Sequence, residues 1–410
     1  MSSNPRLVAR LKKPGPKRLL ALDGGGIRGL ISLGYLARIE RLLRRRYRDE
    51  RLVLSDYFDL IGGTSTGAII ASLLALGRSV EQVRELYLSQ GHAAFQPLRS
   101  WMGPFGRILG AKFDEEPLEH LLKSQFGERT LASSDFKTGL MVLVRRVDTA
   151  AVWALVNLPT HRFYASNHTL PLWEVVCASA AAPTYFKPRV FSGIAGEDEA
   201  LFVDGGVSMY RQPALKLLMV ATLRGFGLGW PVGADEILLC SIGTGIVSQQ
   251  QNLEALRRYR NSNLHMLPLL LTQLIDDASE LSETILQWLS WSPTSAQDLH
   301  YRLGTLGWNQ LGHEPLFTYL RYDVALEKDE LTALGFDLAT AEIEALQDMT
   351  QVDNARKLYD IGLQAGLRDV EEKHYPTVFD VATSHGLRWE RAGVRRFRFL
   401  RHLFPQEKAG

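Results

Sequence analysis

Cysteine is scarce in this chain: two in 410 residues, Cys177 and Cys240. Both sit inside apolar runs, WEVVCASAAA and EILLCSIG. A disulfide framework or a zinc site needs more sulfur at tighter spacing, so two buried free thiols in a reducing compartment are expected. Long apolar runs are missing as well. HMLPLLLTQLI is too short and holds a proline, whereas a membrane-spanning helix needs roughly 20 residues. The opening MSSNPRLVARLKKPGPKR is basic but lacks the apolar centre of a signal peptide, so a cytoplasmic protein is expected. Charge of one sign is absent: 47 Lys and Arg face 45 Asp and Glu, a net charge of +2. That excludes a dedicated binder of nucleic-acid polymers. There is no internal repeat, no low-complexity segment and no calcium loop of the EF-hand type.

What is present suits a large core, with 46% hydrophobic and 22% charged residues. After a start expected to be flexible (1–17), RLLAL reads as a buried strand. DGGG then turns into a helix from about Ile27 to Tyr47, with Leu33, Leu36, Ile39, Leu43 and Tyr47 as its buried stripe. Ser79 and Gln82 form a capping box at the head of SVEQVRELYLSQG. Residues 92–112 are aromatic and glycine-rich, an irregular loop expected near a site, and a helix follows at 117–126. GLMVLVRRVD, AVWALVN, ALFVDGG and EILLCSIGTG read as strands, with helices in WEVVCASAAA and PALKLLMVATL. This alternation predicts an α/β fold, a mainly parallel sheet covered on both faces. Residues 250–375 turn helix-rich around one isolated strand, TYLRYDV. The expected division is therefore a catalytic domain at 18–247 and a helix-rich extension at 248–410, with the boundary near 247–260.

Two stretches carry chemistry. In DLIGGTSTGAIIA, Gly63 to Gly67 spell G-x-S-x-G between an apolar strand and an apolar helix. That is the nucleophile elbow, in which Ser65 sits on a sharp strand-to-helix turn and the glycines relieve collisions. In DGGGIRG, Gly24, Gly26 and Gly29 match G-x-G-x-x-G after a strand and before a helix, as in a dinucleotide-binding turn. Such a turn wants an acidic residue about 20 positions on, at the end of the next strand. Here that distance falls in RRRYRDERL, around the end of a basic helix. The other use of the turn is to present free backbone N–H groups to a tetrahedral oxyanion. Arg28 would add positive charge, or would be a solvated residue in the first turn.

Ser65 needs a base, because a serine hydroxyl is a poor nucleophile alone. The ten histidines (His92, His120, His161, His168, His265, His300, His313, His374, His385 and His402) all lack an obvious catalytic setting. Asp204 ends the apolar strand in ALFVDGGVSMY and is followed by Gly205 and Gly206. Ligands of open α/β sheets bind at the carboxyl ends of the strands, where Ser65 and Asp204 would both lie. Partial burial raises a carboxylate's pKa and lets it take a serine proton. An ordinary Asp-Gly-Gly turn is the alternative.

The set DGGGIRG, GTSTG, ASAAAPTYF and DGG, in this order and spacing, resembles the patatin-like phospholipases over about residues 18–245. The resemblance implies a three-layer α/β/α fold and a Ser–Asp dyad without histidine. Ser65 would be the nucleophile and Asp204 the proton acceptor. Gly24, Gly25 and Gly26 would be the oxyanion donors, with Arg28 assisting. ASAAAPTYF would pack beside the site, its helix broken at Pro183. The implied activity is acyl-ester hydrolysis of phospholipids, with no metal or organic cofactor. Some bacterial relatives are antiviral phospholipases switched on by a cyclic oligonucleotide, which makes such an activator one alternative. A weakly active storage or binding protein is another.

The tail LRWERAGVRRFRFLRHLFP (387–405) interleaves Arg388, Arg391, Arg395, Arg396, Arg398 and Arg401 with aromatic and aliphatic residues. It would suit an anionic membrane surface, as for a peripheral enzyme at the inner membrane, or pack onto the body.

Overall fold

The computed structural model describes residues 4–94, 114–183, 185–194, 199–247, 263–294 and 314–381. The expected loop at 92–112, beyond its first three residues, and the basic tail at 387–405 lie outside them.

Within the start expected to be flexible, the described residues from Asn4 onward are ordered into a helix. Pro5–Lys12 form helix α1, capped by Asn4, whose side chain accepts the Leu7 N–H at 3.0 Å. The Asn4 amide donates to the Ser134 and Phe136 carbonyls at 2.9 Å, and Leu7 and Leu11 are buried. A proline at the first helical position and a capping asparagine are strong start signals. Buried leucines one turn apart then tie the helix to the body.

Among the described residues eight strands form one sheet: β1 (Lys17–Leu22), β2 (Leu60–Thr64), β3 (Gly139–Arg146), β4 (Ala151–Val156), β5 (Arg189–Ser192), β6 (Glu199–Asp204), β7 (Ile237–Ile242) and β8 (Thr318–Tyr322). Their order is β5-β6-β3-β2-β1-β7-β8, with β4 also on β3. β3, β2, β1, β7 and β8 run parallel, while β4, β5 and β6 pair antiparallel. Every residue of β1, β2 and β7 is buried, as expected of parallel strands covered on both faces. The two coverings show in adjacent glycines of β2. A Cβ on Gly62 would meet Leu217 of the helix Ala214–Thr222, and one on Gly63 would strike α4 (Thr66–Ala75).

One register detail places the site. β4 takes one edge of β3 along its length, so β6 must take the edge that β2 leaves free beyond its end. Thr64 lies opposite Leu143, and Asp204 lies opposite the next residue, Val144. Asp204 is thereby set beside the turn that follows Thr64.

Beyond residue 247 the described residues are largely helical, including Asn263–Leu289 and Ala355–Asp369. Residues 1–379 form one compact unit. The strand in TYLRYDV is not isolated: β8 pairs with β7 from Leu238↔Thr318 to Ile242↔Tyr322. The helix Ala355–Asp369 crosses α2 (Gly29–Tyr47) where Gly34 meets Gly362, and a Cβ on either would collide with the other helix's backbone. Such close approach is what glycine in a helix permits. No described helix is long and apolar enough to cross a membrane. Both cysteines are buried free thiols.

Candidate active site

Ser65 is one of three described non-glycine residues with positive φ, at φ 55° and ψ −125°. It joins β2 to α4 in a conformation that a β-carbon disfavours, and such strain persists only when the surroundings enforce it. They do so through absent side chains. A Cβ on Gly63 would collide with the Gly67 carbonyl, and one on Gly67 with the Leu22 carbonyl of β1. The Ser65 N–H donates to Ser179 Oγ at 2.9 Å, and Ser179 Oγ donates to the Leu143 carbonyl at 2.6 Å. Ser179 lies in ASAAAPTYF, whose Ala180, Ala182, Pro183, Tyr185 and Phe186 line the same cavity.

Asp204 is 3% exposed at the end of β6. Its Oδ1 accepts the Gly206 N–H at 2.6 Å. Burial pushes the carboxyl up to about 7, against the pull of the neighbouring Ser65 side chain and the Gly206 N–H. A Cβ on Gly205 would stand 2.6 Å from the Leu143 carbonyl oxygen, so the turn after Asp204 needs that glycine.

The glycine loop follows β1. The Gly24 N–H, expected to face an oxyanion, donates to the Arg211 carbonyl at 3.1 Å. The Gly25 and Gly26 N–H groups have no backbone acceptor among the described residues. Gly26 has φ 59° and lies against the Met349 carbonyl, while Gly25 lies against Thr244, with no room for a Cβ at either. The Ile27 N–H donates to the Met349 carbonyl at 2.9 Å, and Thr244 Oγ1 donates to the Gly24 carbonyl at 3.1 Å.

Arg28 is not a solvated first-turn residue. It is 4% exposed, and its Nε and Nη1 have no hydrogen-bond partner among the described residues. Burial and then the neighbouring Arg211 push its guanidinium down to about 10, with Asp323, Asp276 and Asp348 acting in the opposite direction. Burying a guanidinium with open donors is costly without a charged acceptor.

Ser65, Asp204, Gly24, Gly25, Gly26 and Arg28 all line one cavity of about 330 Å³. Ile69, Leu86, Leu118, Leu121, Phe186 and Ile275 supply apolar walls. No described histidine lines it. The dinucleotide alternative finds no support: β2 ends in the serine elbow, and residues 44–52 lie around the end of α2. Sequence reasoning missed Ser179, Arg211, Thr244 and Met349. Only Ser179 had a local signal, as the polar residue in a run of alanines.

Residues 20–214 match the family model described as patatin-like phospholipase. The cGAMP-activated phospholipase of Escherichia coli (strain TW11681) is 30% identical over 247 residues, 58% of this chain and 64% of that protein. Patatin-17 of Solanum cardiophyllum is 30% identical over 255 residues, 56% of this chain and 61% of its own. The chain thus spans 61–64% of the length of these curated relatives. Among solved structures, human GIVD cytosolic phospholipase A2 gives a loose likeness, with a TM-score of 0.38 at 12% identity over 89% of this chain and 63% of that one.

Proposed function

We propose that this chain, whose residues 20–214 match the patatin-like phospholipase model, hydrolyses acyl esters of phospholipids through a Ser65–Asp204 dyad. The carrying observation is a serine on a strained elbow and a buried carboxylate lining the same largely apolar cavity. Ser65 Oγ attacks the acyl carbonyl as Asp204 takes its proton. The carbonyl oxygen becomes an oxyanion facing the Gly25 and Gly26 N–H groups, with the Arg28 charge nearby. Asp204 returns the proton to the departing lysolipid oxygen, leaving the acyl group on Ser65. Water then gives a proton to Asp204 and attacks the ester, releasing fatty acid and restoring the Ser65 hydroxyl. A carboxyl near 7 suits this work, since a base is most effective when its pKa lies near the operating pH.

The apolar walls suit an acyl chain, and Arg28 and Arg211 add positive charge to the lining of the same cavity. A substrate of this class is presented at a membrane surface, so the reading makes the enzyme peripheral, at the cytoplasmic face. The test is fatty-acid release from mixed-phospholipid vesicles, with Ser65→Ala as control. Equal release from wild type and the variant would sink the proposal.

A second reading adds gating by a cyclic nucleotide. It rests on the Escherichia coli relative named a cGAMP-activated phospholipase. Assaying turnover with and without cyclic dinucleotides tests it, and identical rates across the series would reject it.

A further inference from the structure

Arg321 lies over a hundred positions beyond the family-matched residues, yet its side chain reaches the first residue of the glycine loop. It stands on β8 opposite Ser241 of β7, and β7 pairs with β1, whose last residue precedes Asp23. From there Nη2 bonds Asp23 Oδ2 at 2.8 Å and Asp323 Oδ2 at 2.7 Å, while Nη1 donates to Ser241 Oγ at 2.8 Å. Glu283 Oε2, held by Tyr319 at 2.7 Å, is 3.9 Å from Nε. One largely buried guanidinium thus gathers three carboxylates.

Two arms run from it to the loop. The first is direct, through Asp23, whose backbone N–H is the last bond to β7 before the glycines begin (to the Ile242 carbonyl, 3.1 Å). The second passes through Asp323, whose Oδ1 accepts the Gly245 N–H at 2.8 Å. Gly245 follows Thr244, which bonds the Gly24 carbonyl and fills the space beside Gly25. Three consecutive glycines have the greatest backbone freedom of any tripeptide. Donors must be held to about 0.5 Å to stabilise a transition state, so something outside the glycines has to hold them. Buried ion clusters add little net stability compared with apolar packing, but removing one member is severe, which suits them to fixing a geometry. Asp23 fits that role: burial pushes its carboxyl up to about 6, and Arg321 is the main force favouring its charge.

We propose that Arg321 is a positioning residue for the oxyanion loop, holding Gly25 and Gly26 in place through Asp23 on one side and Asp323–Gly245–Thr244 on the other. The proposal rests on the reading that those two N–H groups face the oxyanion. It gives residues beyond 248 a task in the chemistry: β8 completes the site from outside the matched region.

The experiment compares wild type with Arg321→Met and Arg321→Lys. It follows kcat and KM on a soluble short-chain nitrophenyl ester, and amide hydrogen exchange in residues 19–30 and 60–75. In Arg321→Met, kcat falls about 10- to 100-fold, less than or equal to the loss of a whole donor, while KM moves less than about twofold. The Asp23, Gly24 and Ile27 amides exchange faster, and those of the elbow segment do not. Arg321→Lys recovers part of kcat, since it keeps the charge but not the fork. Wild-type kcat in folded Arg321→Met, unchanged exchange in residues 19–30, or a kcat that falls only with the folded fraction would each overturn the proposal. Should Arg321→Met not fold, Asp23→Asn cuts the direct arm while leaving Arg321 paired with Asp323. Faster exchange at Gly24 and Ile27 is then expected, and unchanged exchange with unchanged kcat overturns the tie. If wild type itself hydrolyses no ester, the dyad reading fails, while the exchange measurement still decides what Arg321 holds.

Discussion

Replacing Asp204 by asparagine separates the cost of the base from its use. The carboxyl moves from 3.8 to about 7, chiefly through burial. The folded state therefore binds the proton more tightly than the unfolded chain does. Between those two values the unfolded state holds fewer protons, so stability falls as pH rises, by about 1.4 kcal/mol per unit. The loss begins above the unfolded value and is complete above about pH 7, where it totals roughly 4 kcal/mol. At pH 5 only the smaller part, about 2 kcal/mol, has accrued. Asp204→Asn has no ionisation to suffer, so its stability relative to wild type should improve by about 3 kcal/mol from pH 5 to pH 8. Denaturant titration at the two pH values measures this, with fatty-acid release expected to be abolished at both. Wild-type kcat/KM should rise about tenfold per pH unit below 7 and level off above about 8, tracking the ionised base. A pH-independent stability difference, or a kcat/KM flat from pH 6 to 8, would refute the assignment of Asp204 as a buried base.

Gly25→Ala forces a methyl group into Thr244 and tilts the loop; kcat should drop about 10²–10³-fold, as for a lost oxyanion donor, with the folded state retained in circular dichroism. Gly362→Ala sets a methyl against the Ile31 backbone at the α2 crossing; a destabilisation of about 1–3 kcal/mol is expected in denaturant titration. Truncation after Gly386 removes the arginine-aromatic tail; binding to anionic vesicles and vesicle hydrolysis should weaken while turnover of a soluble ester is spared, and equal loss on both substrates would make the tail structural.

Much of the site could be read from the chain because its parts are local. An elbow needs glycine two residues either side of its serine, since any Cβ at Gly63 or Gly67 meets backbone a few ångströms away. An aspartate ending an apolar strand before two glycines is likewise a pattern written in adjacent letters. The fold class followed from alternating periods, and helix α1 was overlooked because its basic residues outweighed the two leucines it buries. Other matters depend on which strands become neighbours. β6 taking the edge of β3 beyond β2 brings residues 65 and 204 together, and no spacing along the chain records that. The Gly24 N–H is spent on the Arg211 carbonyl, 187 positions away, which removes one donor that the motif offers. Arg28 is buried, although nothing next to it in the chain is unusual. β8 joining β7 turns an apparent extension into part of the sheet and carries Arg321 to Asp23, 298 residues distant. Local sequence determined the conformations that glycine, proline and strand ends allow; the meeting of distant charges and donors was decided by the sheet, because pairing order is a property of the whole chain.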